Sequence, residues 1–212
     1  RSMATFVLSG FAAFGVTMAL WGGNAKQEAA EEADITELYS QPHGTVKLNG
    51  DEPILGKVDA PITVLEYADF ECPHCGQVAP QLKALQQRYP NDVRVVFRNY
   101  PLDQACNSNV GPLHPNACHA ARAAVCSQEQ GKFWELVDYL FERRKVLGTL
   151  DWSAVSAELG LETRKFLQDM ESPEVKRRIA ADAALGRKAG VKGTPGVFLN
   201  RRPVSRLMRK SP

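Results

Sequence analysis

The sequence has no marked excess of charge of either sign. Its 26 Lys and Arg stand against 24 Asp and Glu, a formal net charge of +2. That near-balance leaves no long-range field of the kind that collects nucleic acid or acidic partners. Basic residues do gather at the end (Arg201, Arg202, Arg206, Arg209 and Lys210), where they read as a solvated tail. Internal repeats are absent, which excludes a solenoid or other repeat array. With 212 residues the chain suffices for one substantial domain plus an appendage, and not for two large ones.

What is present begins with an uncharged run, Phe6 to Gly23. It is at the short end for a membrane-spanning helix and long for the core of a signal peptide. Arg1 precedes it and Glu28, Glu31, Glu32 and Asp34 follow, a sidedness that fits a cytoplasmic start and a body outside. Residues 1–24 are therefore expected to be a signal anchor or transmembrane segment. The small residues around Gly23-Asn24-Ala25 match a cleavage site weakly. The run serves equally well as a simple anchor or as the last helix of a larger membrane domain. Residues 25–47, starting with an Ala- and Glu-rich stretch, read as a linker.

Ile62 to Ala68 is β-branched and largely apolar, as a strand covered on both faces should be. Pro73 then opens a helix, at a position where its missing N–H costs nothing. Val78, Leu82 and Leu85 continue that helix at helical spacing towards Pro90, and Pro80 inside it is expected to kink it. Val93 to Phe97 reads as a second strand, completing a βαβ unit. Helical patterns fill about 112–190. They include a small-residue face (Ala117, Ala120, Ala121, Ala124), an apolar stripe (Phe133, Leu136, Val137, Leu140) and a start at Ser172-Pro173-Glu174. Gly196 to Leu199 and a short piece before Val204 complete the strands. The expected fold is α/β with an all-helical subdomain set into it.

Cys72-Pro73-His74-Cys75 lies where the strand hands over to the helix. A thiolate there faces unpaired backbone N–H groups and the positive end of the helix dipole. A protonated His74 would add to both. Such cysteines have pKa values of about 3.5 to 7.5 instead of about 8.5. Cys72 is then the attacking sulfur and Cys75 the resolving one. A structural disulfide gains little from so short a loop. Zinc, with His114, Cys118 and His119 completing a site, lacks the second Cys-x-x-Cys of a zinc knuckle. A Cys-x-x-Cys beside a βαβ unit is a redox motif, so neither metal nor cofactor is expected.

Three segments together resemble the bacterial DsbA-like family of exported thioredoxin-fold oxidoreductases. They are Tyr67 to Cys75, Gln130 to Glu135, and Val191-Lys192-Gly193-Thr194-Pro195, within a region of about 48–204. The resemblance implies a thioredoxin-like fold with a helical insertion. It also implies a cis-proline loop at Thr194 and Pro195 that pairs with substrate backbone, and catalysis by Cys72 and Cys75 with Pro73 and His74 between them. It implies a periplasmic or cell-envelope location, exported cysteine-containing proteins as substrates and a membrane quinone-linked reoxidant. Fusions to a membrane domain of the vitamin K epoxide reductase type occur in that family. A reductase or isomerase would use the same residues, as would a peptide-binding module with vestigial redox activity. No segment reads as the dimerisation domain of a dimeric isomerase. Two departures stand out. Asn200-Arg201-Arg202 puts arginine in a hairpin turn that favours glycine, and the final helix of the family is scarcely present in 205–212.

Five cysteines leave an odd thiol. Cys118 and Cys126 lie eight residues apart on one helix, about 12 Å of rise, too far to bond to each other. Cys106, in a loop with Pro112 and Pro115, can reach either. Cys118 is nearer the loop, so Cys106–Cys118 is the favoured structural disulfide and Cys126 a buried small hydrophobe.

Overall fold

The computed structural model describes Ser40 and residues 46–204. The apolar run Phe6 to Gly23 and the tail after Val204 lie outside the described residues. Among the described residues no helix is long and apolar enough to cross a membrane.

Five strands form one mixed sheet in the order β1-β3-β2-β4-β5: β1 is Ile54–Leu55, β2 Ile62–Ala68, β3 Val93–Asn99, β4 Gly196–Leu199 and β5 Arg202–Pro203. β2 and β3 run parallel over seven residues, from Ile62 opposite Val93 to Ala68 opposite Asn99. The other pairings are antiparallel. Helix α1 (Pro73–Arg88) joins β2 to β3 and runs unbroken through Pro80. Alternation along β2 sends Ile62 and Val64 to the face covered by Leu82 and Leu85 of α1. Leu65 and Tyr67 go to the other face.

The helices between β3 and β4 are α2 (Ala117–Glu129), α3 (Phe133–Glu142), a 3-10 turn (Arg144–Thr149), α4 (Trp152–Glu158), α5 (Thr163–Met170) and α6 (Pro173–Lys188). The alanines of α2 let α3, α5 and α6 approach it closely, with Leu136, Leu140, Phe166 and Ile179 in one core. Phe70 stacks on Phe97 at 5.4 Å and meets Phe141 at 5.1 Å, joining this helical body to the sheet. Ser172 caps α6 by accepting the Val175 N–H at 3.2 Å. α6 then returns to the sheet, placing Ala183 among Leu65, Tyr67, Val96 and Phe198.

The β4–β5 turn places both Asn200 (φ 45°) and Arg201 (φ 71°) in the left-handed region. Asn200 offsets this by accepting the Thr63 N–H at 2.8 Å through Oδ1. Among the described residues Arg201 makes no such bond, and its conformation costs about 1 kcal/mol or more. At the other end of the domain, Arg98 is almost completely buried and ion-paired with Glu52. It also donates to the Lys47 carbonyl at 2.6 Å and to the Tyr67 hydroxyl at 2.8 Å.

Candidate active site

Cys72 is the residue before the first helical turn of α1, with extended φ/ψ of −66° and 121°. Its carbonyl accepts the first helical bond, from the Gly76 N–H at 3.2 Å. Pro73 occupies the first helical position, where it loses no bond. The two thiols are unbonded and buried, Cys72 4% exposed and Cys75 not at all. The Thr194–Pro195 peptide bond is cis. As a thiol, Cys72 Sγ donates to the Thr194 carbonyl at 3.4 Å. Residues 122 positions apart thus meet at one sulfur.

The two sulfurs differ sharply. Cys72 is pulled down to about 5, chiefly by the hydrogen bond that the Cys75 thiol gives its thiolate. Burial opposes this. The Thr194 hydroxyl and the Cys75 and His74 amides add to it. Cys75 is pushed well up, first by burial, then by giving that hydrogen bond and by the nearby Glu66 carboxyl. The exposed His74 ring is not among the groups that move Cys72. The sequence reading gave that ring a share in stabilising the thiolate. The structure assigns the share of this residue to its backbone N–H, because a solvated imidazole is screened.

Sequence reasoning missed Glu66. It sits in mid-β2 on the α1 side and is fully buried. Burial and then the Cys72 charge raise its pKa to about 8. Among the described residues its Oε1 has no hydrogen-bond partner. It borders a cavity of about 10 Å³, room for roughly one water, which Lys83 and Asp138 also line. The available signal was one carboxylate inside an otherwise apolar strand.

The turn before Cys72 is clamped from the β3–α2 loop. Asp69 accepts the Glu71 N–H at 2.7 Å and the Leu102 N–H at 2.6 Å, and faces His114 Nδ1 at 2.9 Å. Glu71 accepts two bonds from Asn116, at 2.7 and 2.8 Å. Cys106 and Cys118 are disulfide-bonded with Cα atoms 5.9 Å apart, closing that loop onto the start of α2. His114, Cys118 and His119 do not converge. His114 meets Asp69, Cys118 is bonded to Cys106, and His119 stacks on Trp152 at 5.3 Å. Among the described residues no group of three metal-ligating side chains comes together. Cys126 is buried in α2, its thiol pushed up to about 12 by burial.

A family profile described as Thioredoxin matches residues 48–211. A thioredoxin-like oxidoreductase from Silicibacter pomeroyi DSS-3 is 30% identical with a TM-score of 0.59, over 73% of this chain and 83% of that one. The DsbA2 of Pseudomonas aeruginosa is 25% identical with a TM-score of 0.57, over 73% and 81% of the two chains. Among curated proteins, the Na(+)/H(+) antiporter NhaA 3 of Salinispora tropica is 38% identical over 149 residues, 70% of this chain. The chain spans only 22% of that antiporter's length.

Proposed function

We propose, because the chain belongs to the thioredoxin family, that it is an exported thiol–disulfide oxidoreductase that oxidises cysteines of exported proteins through a Cys72–Cys75 disulfide. The observation that carries this reading is the asymmetry of the pair: a low-pKa thiol at the helix start beside Thr194-Pro195, and a high-pKa thiol one turn deeper. A stabilised Cys72 thiolate stabilises the reduced pair, which makes the disulfide oxidising.

In the forward reaction a substrate thiolate attacks Cys72 Sγ. The Cys72–Cys75 bond breaks, and the electron pair leaves on Cys75. Glu66, which burial holds protonated at neutral pH and whose charge acts on Cys75, is the candidate source of the proton that Cys75 then takes. A second substrate thiolate attacks the substrate sulfur of the mixed disulfide and expels Cys72 as its stable thiolate. The substrate leaves with a disulfide and the protein holds two electrons, which a membrane quinone-linked reoxidant accepts. Thr194 and Pro195 offer backbone to an extended substrate beside the reacting sulfur.

A reductase or isomerase would use the same groups with the electron flow reversed. The low Cys72 pKa favours oxidation, since a good leaving thiolate is released faster. The antiporter likeness and the Phe6–Gly23 run favour a further reading, in which the domain is carried at the cell-envelope face of a membrane protein. The name of the relative points to a transporter as that membrane part, not a quinone reductase. Ion transport would belong to the part of the antiporter that this chain does not span.

Equilibration of the pair in glutathione buffers tests the direction. A potential well above about −200 mV supports an oxidase, and one near about −270 mV a reductase. Cys75→Ala should trap envelope proteins as mixed disulfides on Cys72. If nothing is trapped, the exchange reading fails and a binding module takes its place.

A further inference from the structure

Tyr100 lies one residue past β3 and holds both halves of the site. Its N–H donates to the Ala68 carbonyl at 2.8 Å, the last residue of β2 and four before Cys72. Its ring is buried, packs edge-on to Tyr67 at 6.2 Å and presses against α6 at Gly186. A Cβ at Gly186 would stand 2.6 Å from that ring. A glycine inside a helix costs about 1 kcal/mol against alanine, and the ring explains its presence. The Tyr100 hydroxyl donates to the Val191 carbonyl at 3.1 Å.

Val191 is the fixed end of the loop that carries Thr194. Its N–H donates to the Gly186 carbonyl at 2.9 Å. Its side chain rests on Gly196, where a Cβ would lie 2.9 Å from it. Between these points Lys192, Gly193 and Thr194 hang without a regular element. A shift of Val191 therefore moves Thr194 relative to Cys72 Sγ.

We propose that the Tyr100 hydroxyl is a positioning group that fixes the Thr194–Pro195 loop over Cys72, and so sets both the Thr194 contact and the edge offered to substrate. This rests on the disulfide-exchange reading and adds a residue to it. Tyr100 touches neither sulfur and acts through Val191.

The test is Tyr100→Phe in the whole chain, with Tyr67→Phe beside it. Each loses one buried hydroxyl, but Tyr67 bonds to Arg98, away from the loop. Two readouts are followed in the reduced protein: the Cys72 titration by ultraviolet thiolate absorbance, and the kinetics of oxidising a two-cysteine peptide. The groups facing Cys72 (Cys75, the His74 amide, Glu66 and Thr194) are unchanged in both variants. Tyr100→Phe should raise the Cys72 midpoint by about half a unit or more, roughly threefold in the thiol-to-thiolate ratio. The peptide KM should rise severalfold, with kcat less affected. Tyr67→Phe should lose stability while its titration and KM stay at wild type. If Tyr100→Phe loses stability but keeps the wild-type midpoint and KM, Tyr100 is structural and the proposal is overturned. If wild type itself does not exchange with the peptide, the functional reading falls, while the titration arm still decides the position of the loop.

Discussion

Cys72 and Cys126 carry the same thiol, both buried, yet one is drawn down to about 5 and the other pushed up to about 12. Burial raises both. The difference is what else they meet. Cys72 has a thiol donor, the Thr194 side chain and two helix-start amides lowering it. Cys126 lies mid-helix, where backbone N–H groups are spent on the preceding turn and its neighbours are largely alanine and apolar side chains. Burial alone makes an inert thiol, and directed donors turn a buried thiol into an anion.

The largest expected consequence is in reactivity. At pH 6 nearly all of Cys72 is thiolate, against roughly one in a million of Cys126. Brief iodoacetamide treatment of the reduced protein, read by peptide mass, should therefore modify Cys72 and leave Cys75 and Cys126 unmodified. Comparable labelling of Cys126 would break the contrast.

The bonded pair gives the next effect, on stability instead of reactivity. Cys106→Ala with Cys118→Ala opens a twelve-residue separation and should cost about 3 kcal/mol in denaturant unfolding. No measurable loss would mean that the loop is held by His114 and Asn116 alone.

Glu66 extends the contrast to a carboxyl that burial keeps neutral. Its pKa is about 8 when folded and 4.5 in the reference state, so the folded protein binds this proton more tightly. Its contribution is greatest at low pH and is lost as pH rises from about 4.5 to about 8. Glu66→Gln should therefore raise stability at pH 7 by on the order of 2–3 kcal/mol and flatten that stretch of the pH profile. Cys72 has the opposite sign. In the reduced protein its contribution grows as pH rises from about 5 to about 9, and the oxidised protein lacks it. Urea midpoints across pH, with the pair reduced and oxidised, separate the two.

The smallest effect belongs to His74. His74→Ala keeps the backbone N–H and removes only an exposed ring, so the Cys72 midpoint should move by less than about 0.3 unit. A full unit would restore the imidazole to the role that the sequence suggested.

What the sequence disclosed follows from the range of each signal. Ile62–Ala68 and Gly196–Leu199 were readable to the residue because β-branched runs and turn residues mark strands locally. Cys72 and Cys75 were readable because a strand–helix junction is local too. Glu66 was not, since one carboxylate in a strand means nothing until the register shows both faces covered. The Asp69–His114 and Tyr100–Val191 contacts bridge 45 and 91 residues, and no short pattern announces them. Arg201 was legible as an anomaly and remains one, at positive φ and, among the described residues, without a side-chain bond of the kind Asn200 makes.

The buried Arg98 also has a mechanical meaning. Through the Lys47 carbonyl and Glu52 it straps the chain ahead of β1 to the middle of the sheet. A pull delivered at Val46 enters β3 there. Through the Tyr67 hydroxyl it spreads to β2, along a ladder of seven paired residues. That path ends beside the site, because Tyr67 pairs with Gly196, the residue after Pro195, and packs edge-on to Tyr100. A load on this strap is therefore shared by the strands that carry the two halves of the site.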